Sequence, residues 1–390
     1  MTCEVVTLGC RLNASESEAI RAMLRDEDDV VVVNSCAVTA AAVRQTRQAI
    51  RQARRRHPEA RLLVTGCAAE TERADLAAMP EVDGLVPNAA KLERRAWNAG
   101  PATSPRPAPA RTRAFVQVQN GCDHACTFCI IPQGRGPARS TPIPEALKLV
   151  EGELARGAKE VVLTGVDLTS WGPDLPGSPR LGDLVKAILD TFPALPRLRL
   201  SSVDGIEIDP LLLDLLVHEP RLMPHLHLSL QHGHDLILKR MKRRHSRADA
   251  VRLVERLKQA RPDFAVGADL IAGFPTESAE HHAANLSIIS ELGIVHGHIF
   301  PYSARHDTPA ARMPQVGGDT IKARAAELRA AVSQQRETWL RSLLGSPMHV
   351  LVEKDGTGHA ENFARVALPD FPAGQIVAHT PTQLVDGLLA

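Results

Sequence analysis

The chain has 390 residues, a length that predicts two or three domains. Hydrophobic residues make up 44% of the sequence and charged residues 23%, a composition that excludes a wholly disordered or collagen-like chain. The formal net charge is only +1, so binding to a polyanion would depend on local basic patches rather than on the field of the whole protein.

The composition also bears on the compartment. No apolar run approaches the roughly 20 residues of a membrane-spanning helix, and the start, MTCEVVTLGC, lacks the charged and apolar regions of a secretory signal. We therefore expect a cytoplasmic protein. In that compartment, seven cysteines favour metal or redox chemistry over a disulfide framework.

Residues 1–98 alternate strand and helix signals. In chain order these are EVVTLG, a helix from Ser15 to Arg25, VVVVN, a helix from Thr39 to Arg56, and RLLVTG. The alternation predicts an α/β fold for this part, a doubly wound parallel domain. The stretch GPATSPRPAPA that follows is too rich in Pro and Ala to form an element, and it predicts a linker over residues 99–113.

The rest of the chain predicts a larger α/β domain and a small β domain. Over residues 114–318, helices alternate with the strand candidates FVQVQ, EVVLTG, LRLSSV, HLHLSL, FAVGADLIAG and HGHIFPYS, which predicts a partial (β/α)6 barrel. Residues 319–344 predict one long helix. Residues 345–390 contain MHVLVEK, ARVAL and GQIVAHT and predict a small antiparallel β-barrel.

A cysteine-rich loop follows the first strand of the predicted central barrel. Cys122, Cys126 and Cys129 have the spacing C-x3-C-x2-C. Three thiolates on one short loop can hold three irons of a cubane cluster and leave the fourth iron open. Zinc is the competing interpretation, but structural zinc prefers four closed ligands, and only His124 lies nearby in the sequence to complete such a set.

This loop, with Phe128 before its last cysteine, resembles that of the radical S-adenosylmethionine (radical SAM) superfamily. The resemblance implies a 4Fe-4S cluster whose open iron chelates SAM, and reductive cleavage of SAM to a 5′-deoxyadenosyl radical. It also implies SAM contacts at Phe128 and at the ends of later strands. The strand-end candidates are Thr164, Gly165, Ser202, Asp204, Gln231, Ile271 and Phe274. Each of them can also be read as an ordinary turn residue after a strand.

Three further cysteines follow three predicted strands. Cys10 comes after EVVTLG, Cys36 after VVVVNS and Cys67 after RLLVTG. In a doubly wound sheet these strand ends open onto one edge, so the thiols are expected to converge. A single buried cysteine is usually just a small apolar residue, but here all three strands end this way. This predicts a second three-cysteine cluster with an open iron, and leaves Cys3 as a structural residue.

Two such sites on one chain resemble the methylthiotransferase family, in which a three-cysteine domain precedes a radical SAM domain and a C-terminal TRAM domain. The matching segments are TLGCRLN with Glu16 downstream, NSCAVTAAA, VTGCAAE, QNGCDHACTFCIIPQGRGPARS, LTGVDLTSWG, HLHLSLQHG, MKRRHSR and IAGFPTE. Among its branches, GCRLN and RMKRRHSR are most similar to the MtaB-type enzymes, which methylthiolate N6-threonylcarbamoyladenosine beside the tRNA anticodon.

The resemblance implies a mechanism. The cluster on Cys122, Cys126 and Cys129 cleaves SAM, and the cluster on Cys10, Cys36 and Cys67 carries the sulfur for transfer to carbon 2 of the adenine. The implied partners are the tRNA anticodon stem-loop, an electron donor such as flavodoxin or ferredoxin, and a sulfur donor. Three alternatives remain open: action on N6-isopentenyladenosine, action on a ribosomal-protein aspartate, and a non-enzymatic iron-sulfur RNA-binding protein.

Basic segments offer a separate indication of an RNA substrate. No acidic residue occurs from Val30 through Pro58, and four arginines recur there at helical spacing. The candidate RNA contacts are Arg44, Arg47, Arg51 and Arg55 in this stripe, Lys242, Arg243 and Arg244 in LKRMKRRHSR, and Arg135 and Arg139 in GRGPARS. A solvated surface is the alternative for the first two groups, and Arg135 and Arg139 can instead structure the cluster loop.

The predicted TRAM-like tail departs from the family pattern. It has two basic side chains against five acidic ones, and an acidic surface repels phosphate. Either the tail contacts RNA through a local face that involves residues such as His359 and Phe363, or it serves mainly in packing.

Overall fold

The computed structural model describes residues 3–99 and 112–390 of the chain, so nearly all of the linker predicted over 99–113 lies outside the described residues. The chain divides into two compact units. The first combines Met1–Ala108 with Gln119–Arg139 and Ser303–Ala311. The second consists of Pro109–Val118, Ser140–Tyr302 and Arg312–Ala390. The loop with Cys122, Cys126 and Cys129 therefore belongs to the same compact unit as Cys10, Cys36 and Cys67.

A four-stranded parallel sheet forms the centre of the first unit. Its strands follow chain order: Glu4–Thr7, Val30–Ser35, Arg61–Gly66 and Gly84–Leu85. Its helices are Arg11–Met23, Ala40–Arg56, Cys67–Thr71, Arg73–Ala77 and Ile131–Arg135, with a 3-10 turn at Arg94–Trp97. The helix Ala40–Arg56 begins after Thr39, whose hydroxyl accepts a hydrogen bond from the Ala42 amide at 3.1 Å and caps the helix.

Both faces of this sheet are covered. Val31 and Val33 pack in one apolar core with Ile50, whereas Val30 and Val32 pack in another with Ile20. All six residues of Val30–Ser35 are buried, as expected for a strand of a parallel sheet between two helical layers. The predicted parallel α/β domain is therefore confirmed.

The second unit contains the predicted parallel strands of the partial barrel. They are Arg113–Gln117, Glu160–Thr164, Arg197–Leu200 followed by Ser202–Val203, His225–Gln231, Ala265–Ala272 and Ile294–Pro301. They form a three-stranded and a four-stranded parallel sheet. The helices that alternate with them are Ile143–Ala155, Leu181–Thr191, Pro210–His218, Asp235–Arg240, Arg247–Ala260 and Ala279–Leu292.

Alternate strand residues explain how this part of the chain packs. In His225–Gln231, the leucines at 226, 228 and 230 join the main apolar core with residues of the helices. The intervening residues, such as His225 and His227, are not part of that core.

Shorter elements are the strands Gln119–Asn120 and Arg139–Ser140 and the 3-10 turns Leu168–Ser170, Gly205–Glu207 and Pro309–Arg312.

The C-terminal part begins with the long helix Gly318–Ser342, close to its predicted bounds. A six-stranded sheet follows, with strands Met348–Val352, Thr357–Ala360, Arg365–Ala367, Ile376–His379, Leu384–Val385 and Leu388–Leu389. Leu340 of the helix shares an apolar core with Val350 and Val366 of this sheet. The strand-rich C-terminal part is confirmed, and its TRAM-like character stays a prediction.

Across the described ranges, no helix has the length and apolar content required to cross a membrane.

Candidate metal centres

The three strand-end cysteines lie at one edge of the first unit's sheet. Cys10 precedes the helix Arg11–Met23, Cys36 directly follows the strand Val30–Ser35, and Cys67 is the first residue of its helix. Their strands are adjacent and parallel, so the three carboxyl ends lie side by side. The strand order does not reverse here, so the cysteines meet because neighbouring strands end together and not at a topological switch point.

Glycine at position 9 permits this approach. Gly9 has a φ of +91°, a left-handed conformation that favours glycine. A Cβ atom at this position would lie 2.8 Å from the Cys36 Sγ atom, closer than real side chains come. The turn that carries Cys10 can therefore pass directly against Cys36.

Burial and the neighbouring thiols raise the pKa values of Cys36 and Cys67. Cys10 is exposed, whereas Cys36 and Cys67 are buried. Burial raises the pKa of Cys36, and the neighbouring Cys67 and Cys10 raise it further. Burial also raises the pKa of Cys67, which Cys10 raises further and Arg135 and Lys91 lower. Three cysteines at the ends of adjacent strands, two of them buried, fit a shared metal cluster.

A buried network of charges lies beside this set. Arg135 donates hydrogen bonds to the two carboxylate oxygens of Glu16 at 2.9 and 3.2 Å, and the Lys91 Nζ atom pairs with the same carboxylate at 2.5 Å. These three side chains are at most 2% exposed. Arg135 also donates to the Asn13 Oδ1 atom at 2.6 Å, and Asn13 in turn donates to the Ser35 carbonyl at 2.9 Å.

This network fits an anionic metal centre. Two buried basic side chains face one buried carboxylate, so one positive charge is in excess when both are protonated. Burial lowers the pKa of Lys91, and Glu16 and Cys67 raise it. A buried charge needs compensation, and thiolate ligands of an iron-sulfur cluster supply negative charge. Gly134, the residue before Arg135, packs against Cys67, which brings this network next to the cysteine set. The donor set and the charge around it therefore fit a cluster held by Cys10, Cys36 and Cys67.

The loop cysteines are organised by their own backbone. Cys122, Cys126 and Cys129 are each partly buried. The amides of His124 and Ile131 donate to the sulfurs of Cys122 and Cys129, both at 3.4 Å, and such bonds favour thiolates. Within the loop, the Cys129 amide donates to the Cys126 carbonyl at 3.2 Å. This donor set also fits an iron-sulfur cluster.

A short helix joins the loop to the strand-end set inside the first unit. The loop continues into Ile131–Arg135, and the Asn88 side chain donates to the Gly134 carbonyl at 2.5 Å. A Cβ atom at Gly134 would lie 3.1 Å from the Cys67 Cβ atom, so glycine allows the helix to pack closely against Cys67. Arg135, the last residue of this helix, enters the Glu16 network described above.

The predicted SAM contacts in the second unit lie at or just beyond the carboxyl ends of its strands. Thr164 ends the strand Glu160–Thr164, and Gln231 ends His225–Gln231 with a φ of +70°. The Thr164 hydroxyl is buried and has no hydrogen-bond partner within the described chain. Such an unsatisfied group is a ready partner for a ligand. The Ser201 hydroxyl is not among the predicted SAM contacts, but it is likewise buried without a hydrogen-bond partner in the described chain.

The other predicted SAM contacts have different environments. Gly165 follows Thr164, Ser202 begins a short strand, and Ile271 and Phe274 are buried. Asp204 is also buried, and its carboxylate accepts a hydrogen bond from Arg243 at 2.8 Å. Phe128 belongs to the first unit with the cysteine loop. Asp204 thus already has a cationic partner, a relation that residues 39 positions apart do not reveal in the sequence.

The same contact changes the interpretation of the basic segment LKRMKRRHSR. Arg243, a candidate RNA contact, has only 8% of its side chain exposed because it pairs with Asp204. Arg244 pairs with Glu207 at 2.6 Å and remains half exposed. Lys242 is exposed. Arg243 therefore forms a structural ion pair with Asp204. Lys242 and Arg244 are the more accessible candidates for phosphate contacts.

The arginine stripe of the helix Ala40–Arg56 is partly neutralised. Arg47 pairs with Asp75 at 2.7 Å, and Arg51 lies 3.9 Å from Glu81. Arg44 and Arg55 are exposed, and neither forms an ion pair with the described residues. The partner carboxylates come from a later segment, so the acid-free stretch of sequence gave no sign of them.

Arg135 and Arg139, which could either contact RNA or structure the cluster loop, lie in different environments. Arg135 has 2% of its side chain exposed and is held by Glu16, which favours the structural role over an RNA contact. Arg139 is exposed and donates to the Arg135 carbonyl at 3.4 Å. Lys91 could not be predicted as part of this network, because a lysine beside arginines in KLERRAW carries no sign of burial.

The tail residues considered for RNA binding are packed within the second unit. The Phe363 ring stacks on His225 at 4.7 Å and on His359 at 4.5 Å, measured between ring centroids. The guanidinium groups of Arg113 and Arg199 lie 5.1 and 4.9 Å from the same ring. His359 and Phe363 therefore contact the amino-terminal ends of barrel strands, which favours the packing role of the tail.

Comparison with known proteins places the chain in a family. Residues 116–286 match the Radical SAM superfamily, and residues 2–87 match the Uncharacterized protein family UPF0004. The chain is 44% identical to Threonylcarbamoyladenosine tRNA methylthiotransferase MtaB of Rickettsia prowazekii, over 96% of this chain and 93% of the relative. It is 33% identical to the tRNA-2-methylthio-N(6)-dimethylallyladenosine synthase of Cereibacter sphaeroides, over 90% and 87% of the two chains.

A solved structure shares the fold. The radical SAM methyltransferase TsrM from Kitasatospora setae superposes with a TM-score of 0.53 at 17% identity, and the match covers 73% of this chain and 66% of TsrM. At this identity the likeness concerns the fold alone, and the matched part spans just under two thirds of TsrM. The sequence match to the Rickettsia relative, by contrast, runs through nearly the full length of both chains. The chain therefore belongs to the tRNA methylthiotransferase family of the radical SAM superfamily.

Proposed function

We propose that this protein converts N6-threonylcarbamoyladenosine beside the tRNA anticodon to its 2-methylthio derivative. As a radical SAM enzyme, it uses SAM and a 4Fe-4S cluster. The name of the relative that is 44% identical supports this substrate. The observation that carries the proposal is the pair of three-cysteine sets in one compact unit, because a methylthiotransferase needs both a radical source and a sulfur source.

We assign the two sets different roles. Cys122, Cys126 and Cys129 would hold the radical SAM cluster, and Cys10, Cys36 and Cys67 would hold an auxiliary 4Fe-4S cluster. When bound, the clusters supply the electron for reductive SAM cleavage and the sulfur for transfer to carbon 2 of the adenine.

The protein's own residues prepare these sites. The amides of His124 and Ile131 stabilise the loop sulfurs, and the parallel strand ends bring the other three thiols together. Thr164 offers a buried hydroxyl for a SAM contact, and we propose the remaining strand-end candidates and Phe128 as further contacts. Burial keeps water away from Cys36 and Cys67, whereas Cys10 is exposed.

Several parts of the proposal concern partners and organisation. We infer that the tRNA anticodon stem-loop is bound through exposed basic residues, with Arg44, Arg55, Arg139, Lys242 and Arg244 as the accessible candidates. Turnover requires an electron donor such as flavodoxin or ferredoxin and a sulfur donor that restores the transferred sulfur. We further propose a cytoplasmic enzyme whose functional segments are residues 1–98, 114–318 and 345–390.

Nucleoside mass spectrometry of tRNA from host cells with and without the gene tests this function. We expect 2-methylthio-N6-threonylcarbamoyladenosine to disappear and its unmethylthiolated precursor to accumulate. Complementation with the wild type should restore the product, and complementation with the Cys36→Ala variant should not. Loss of the 2-methylthio derivative of N6-isopentenyladenosine instead would keep the chemistry and overturn the substrate. An unchanged tRNA profile would overturn the assignment to tRNA.

A further inference from the structure

We propose that Lys91 and Arg135 are positioning residues that set the reduction potential of the cluster at Cys10, Cys36 and Cys67, and that Glu16 holds both cations in place. This inference deepens the proposed function and rests on it, because it requires a cluster at the strand-end cysteines. It assigns an electrostatic role to three side chains that belong to neither cysteine set.

Three separate segments bring these charges to one buried point. Glu16 comes from the helix Arg11–Met23, and Arg135 ends the helix Ile131–Arg135. Lys91 lies between the strand Gly84–Leu85 and the turn Arg94–Trp97. The Glu16 carboxylate lies 2.5 Å from the Lys91 Nζ atom and 2.9 Å from the Arg135 Nη1 atom.

The network combines two basic side chains with one carboxylate. When Lys91 and Arg135 are both protonated, two cations face one carboxylate in a region that is almost fully buried. Burial lowers the pKa of Lys91, and Glu16 and Cys67 raise it. Burying such a charge is costly unless another negative charge lies nearby. The neighbouring thiols are the groups that can supply it. Gly134, the residue before Arg135, packs against Cys67, and Lys91 shares the Glu16 carboxylate with Arg135.

The sign of the effect follows from charge. A reduced iron-sulfur cluster carries one more negative charge than the oxidised cluster, and net charge and hydrogen bonding are among the factors that set its potential. A nearby fixed cation stabilises the reduced form more than the oxidised form, and burial strengthens the interaction. Lys91 and Arg135 therefore raise the potential of the strand-end cluster, and the Glu16 carboxylate offsets part of this rise.

Lys91 gives a cleaner test than Arg135, because Arg135 also donates to the Asn13 and Asn120 side chains. The full-length chain with Cys122, Cys126 and Cys129 replaced by Ala should carry the strand-end cluster alone. In that background we would compare Lys91→Met, Lys91→Arg and Glu16→Gln by EPR-monitored redox titration and by iron content. Lys322→Met is the matched control, since Lys322 is exposed on the helix Gly318–Ser342.

We expect Lys91→Met to reduce the ratio of reduced to oxidised cluster at a fixed potential by about tenfold, or about 59 mV for a one-electron couple. Lys91→Arg should stay near the wild-type value, and Glu16→Gln should shift the potential in the opposite direction to Lys91→Met. Lys322→Met should change nothing.

Two results would overturn the inference while leaving the proposed function intact. One is an unchanged potential in Lys91→Met with the iron content retained. The other is an equal shift in Lys91→Met and Lys91→Arg, because side-chain shape and not charge would then be responsible. If the background protein binds no cluster although the wild type binds one at the loop cysteines, the auxiliary-cluster assignment fails, and this inference fails with it.

Discussion

The two three-cysteine sets of this protein are built in different ways. Cys10, Cys36 and Cys67 come from three strand ends, and they are brought together by the sheet and bordered by buried charges. Cys122, Cys126 and Cys129 lie on one loop, partly buried, with sulfurs that accept bonds from loop amides. The first set therefore depends on tertiary structure, and the second depends mainly on local backbone geometry. This difference predicts that mutations will separate the two sites.

The largest effect should come from removing a ligand of either set. Cys126→Ala should abolish formation of 5′-deoxyadenosine from SAM under a strong reductant, because the radical SAM cluster loses a ligand. Cys36→Ala should retain this cleavage and lose formation of the methylthiolated nucleoside. Chromatography of both products measures the two activities separately.

Cys3→Ala is a suitable control for these variants. Cys3 belongs to neither set, and burial raises the pKa of its thiol to about 11, so it remains protonated at neutral pH. The variant should retain both activities. A Cys36→Ala enzyme that still makes methylthiolated product would show that the strand-end set is not the sulfur source.

A smaller effect should come from Asn13→Ala, which leaves every cysteine in place. Asn13 accepts from Arg135 at 2.6 Å and donates to the Leu8 and Ser35 carbonyls, so it joins the charged network to the strand ends that precede Cys10 and Cys36. Loss of these buried bonds should lower the free energy of unfolding by about 1–3 kcal/mol. Chemical denaturation followed by circular dichroism measures this change.

The same variant should lose iron from the strand-end set before the loop set. Iron content can be compared in two backgrounds, one with Ala at the three loop cysteines and one with Ala at the three strand-end cysteines. Gln48→Ala, at an exposed position of the helix Ala40–Arg56, is the control. Equal iron loss in both backgrounds would contradict the view that the two sets are independently supported.

Thr164→Val should give a more selective effect, confined to SAM. The Thr164 hydroxyl is buried without a partner in the described chain, so its removal should not lower the free energy of unfolding. If this hydroxyl binds SAM, the variant should lose about 1 kcal/mol of binding free energy, roughly fivefold in affinity. Equilibrium binding of SAM to the reconstituted enzyme measures it, and unchanged affinity would remove Thr164 from the SAM site.

Much of the fold was predictable because it depends on local patterns. The Val-rich strand Val30–Ser35 and the alternating His and Leu residues of His225–Gln231 were visible in the sequence, as was the cysteine loop with its fixed spacing. The convergence of Cys10, Cys36 and Cys67 was also predictable, because parallel strands that follow one another in the sheet end at one edge.

Long-range ion pairs could not be predicted in this way. Glu16 and Arg135 are 119 positions apart. Arg243 lies after the helix Asp235–Arg240, and its partner Asp204 lies 39 positions earlier, after the strand Ser202–Val203. A sequence shows the sign of each charge but not which opposite charge the fold brings to it. For this reason the sequence gives no sign of the network around Glu16, and it presents Arg47 and Arg243 as candidate RNA contacts without revealing their carboxylate partners.

The smallest effect concerns the arginine stripe of the first unit and distinguishes paired from unpaired charges. Arg44 and Arg55 are exposed and form no ion pair in the described ranges, whereas Arg47 is held by Asp75. Each phosphate contact contributes roughly 0.7–0.9 to the slope of log affinity against log salt concentration. The Arg44→Ala, Arg55→Ala double variant should therefore lower the slope for tRNA by about 1–2, while Arg47→Ala should change it less, because Asp75 already neutralises Arg47. Filter binding of tRNA across a salt series measures both slopes. A larger change for Arg47→Ala would show that its ion pair opens when tRNA binds, and equal slopes in all variants would place the tRNA on another surface.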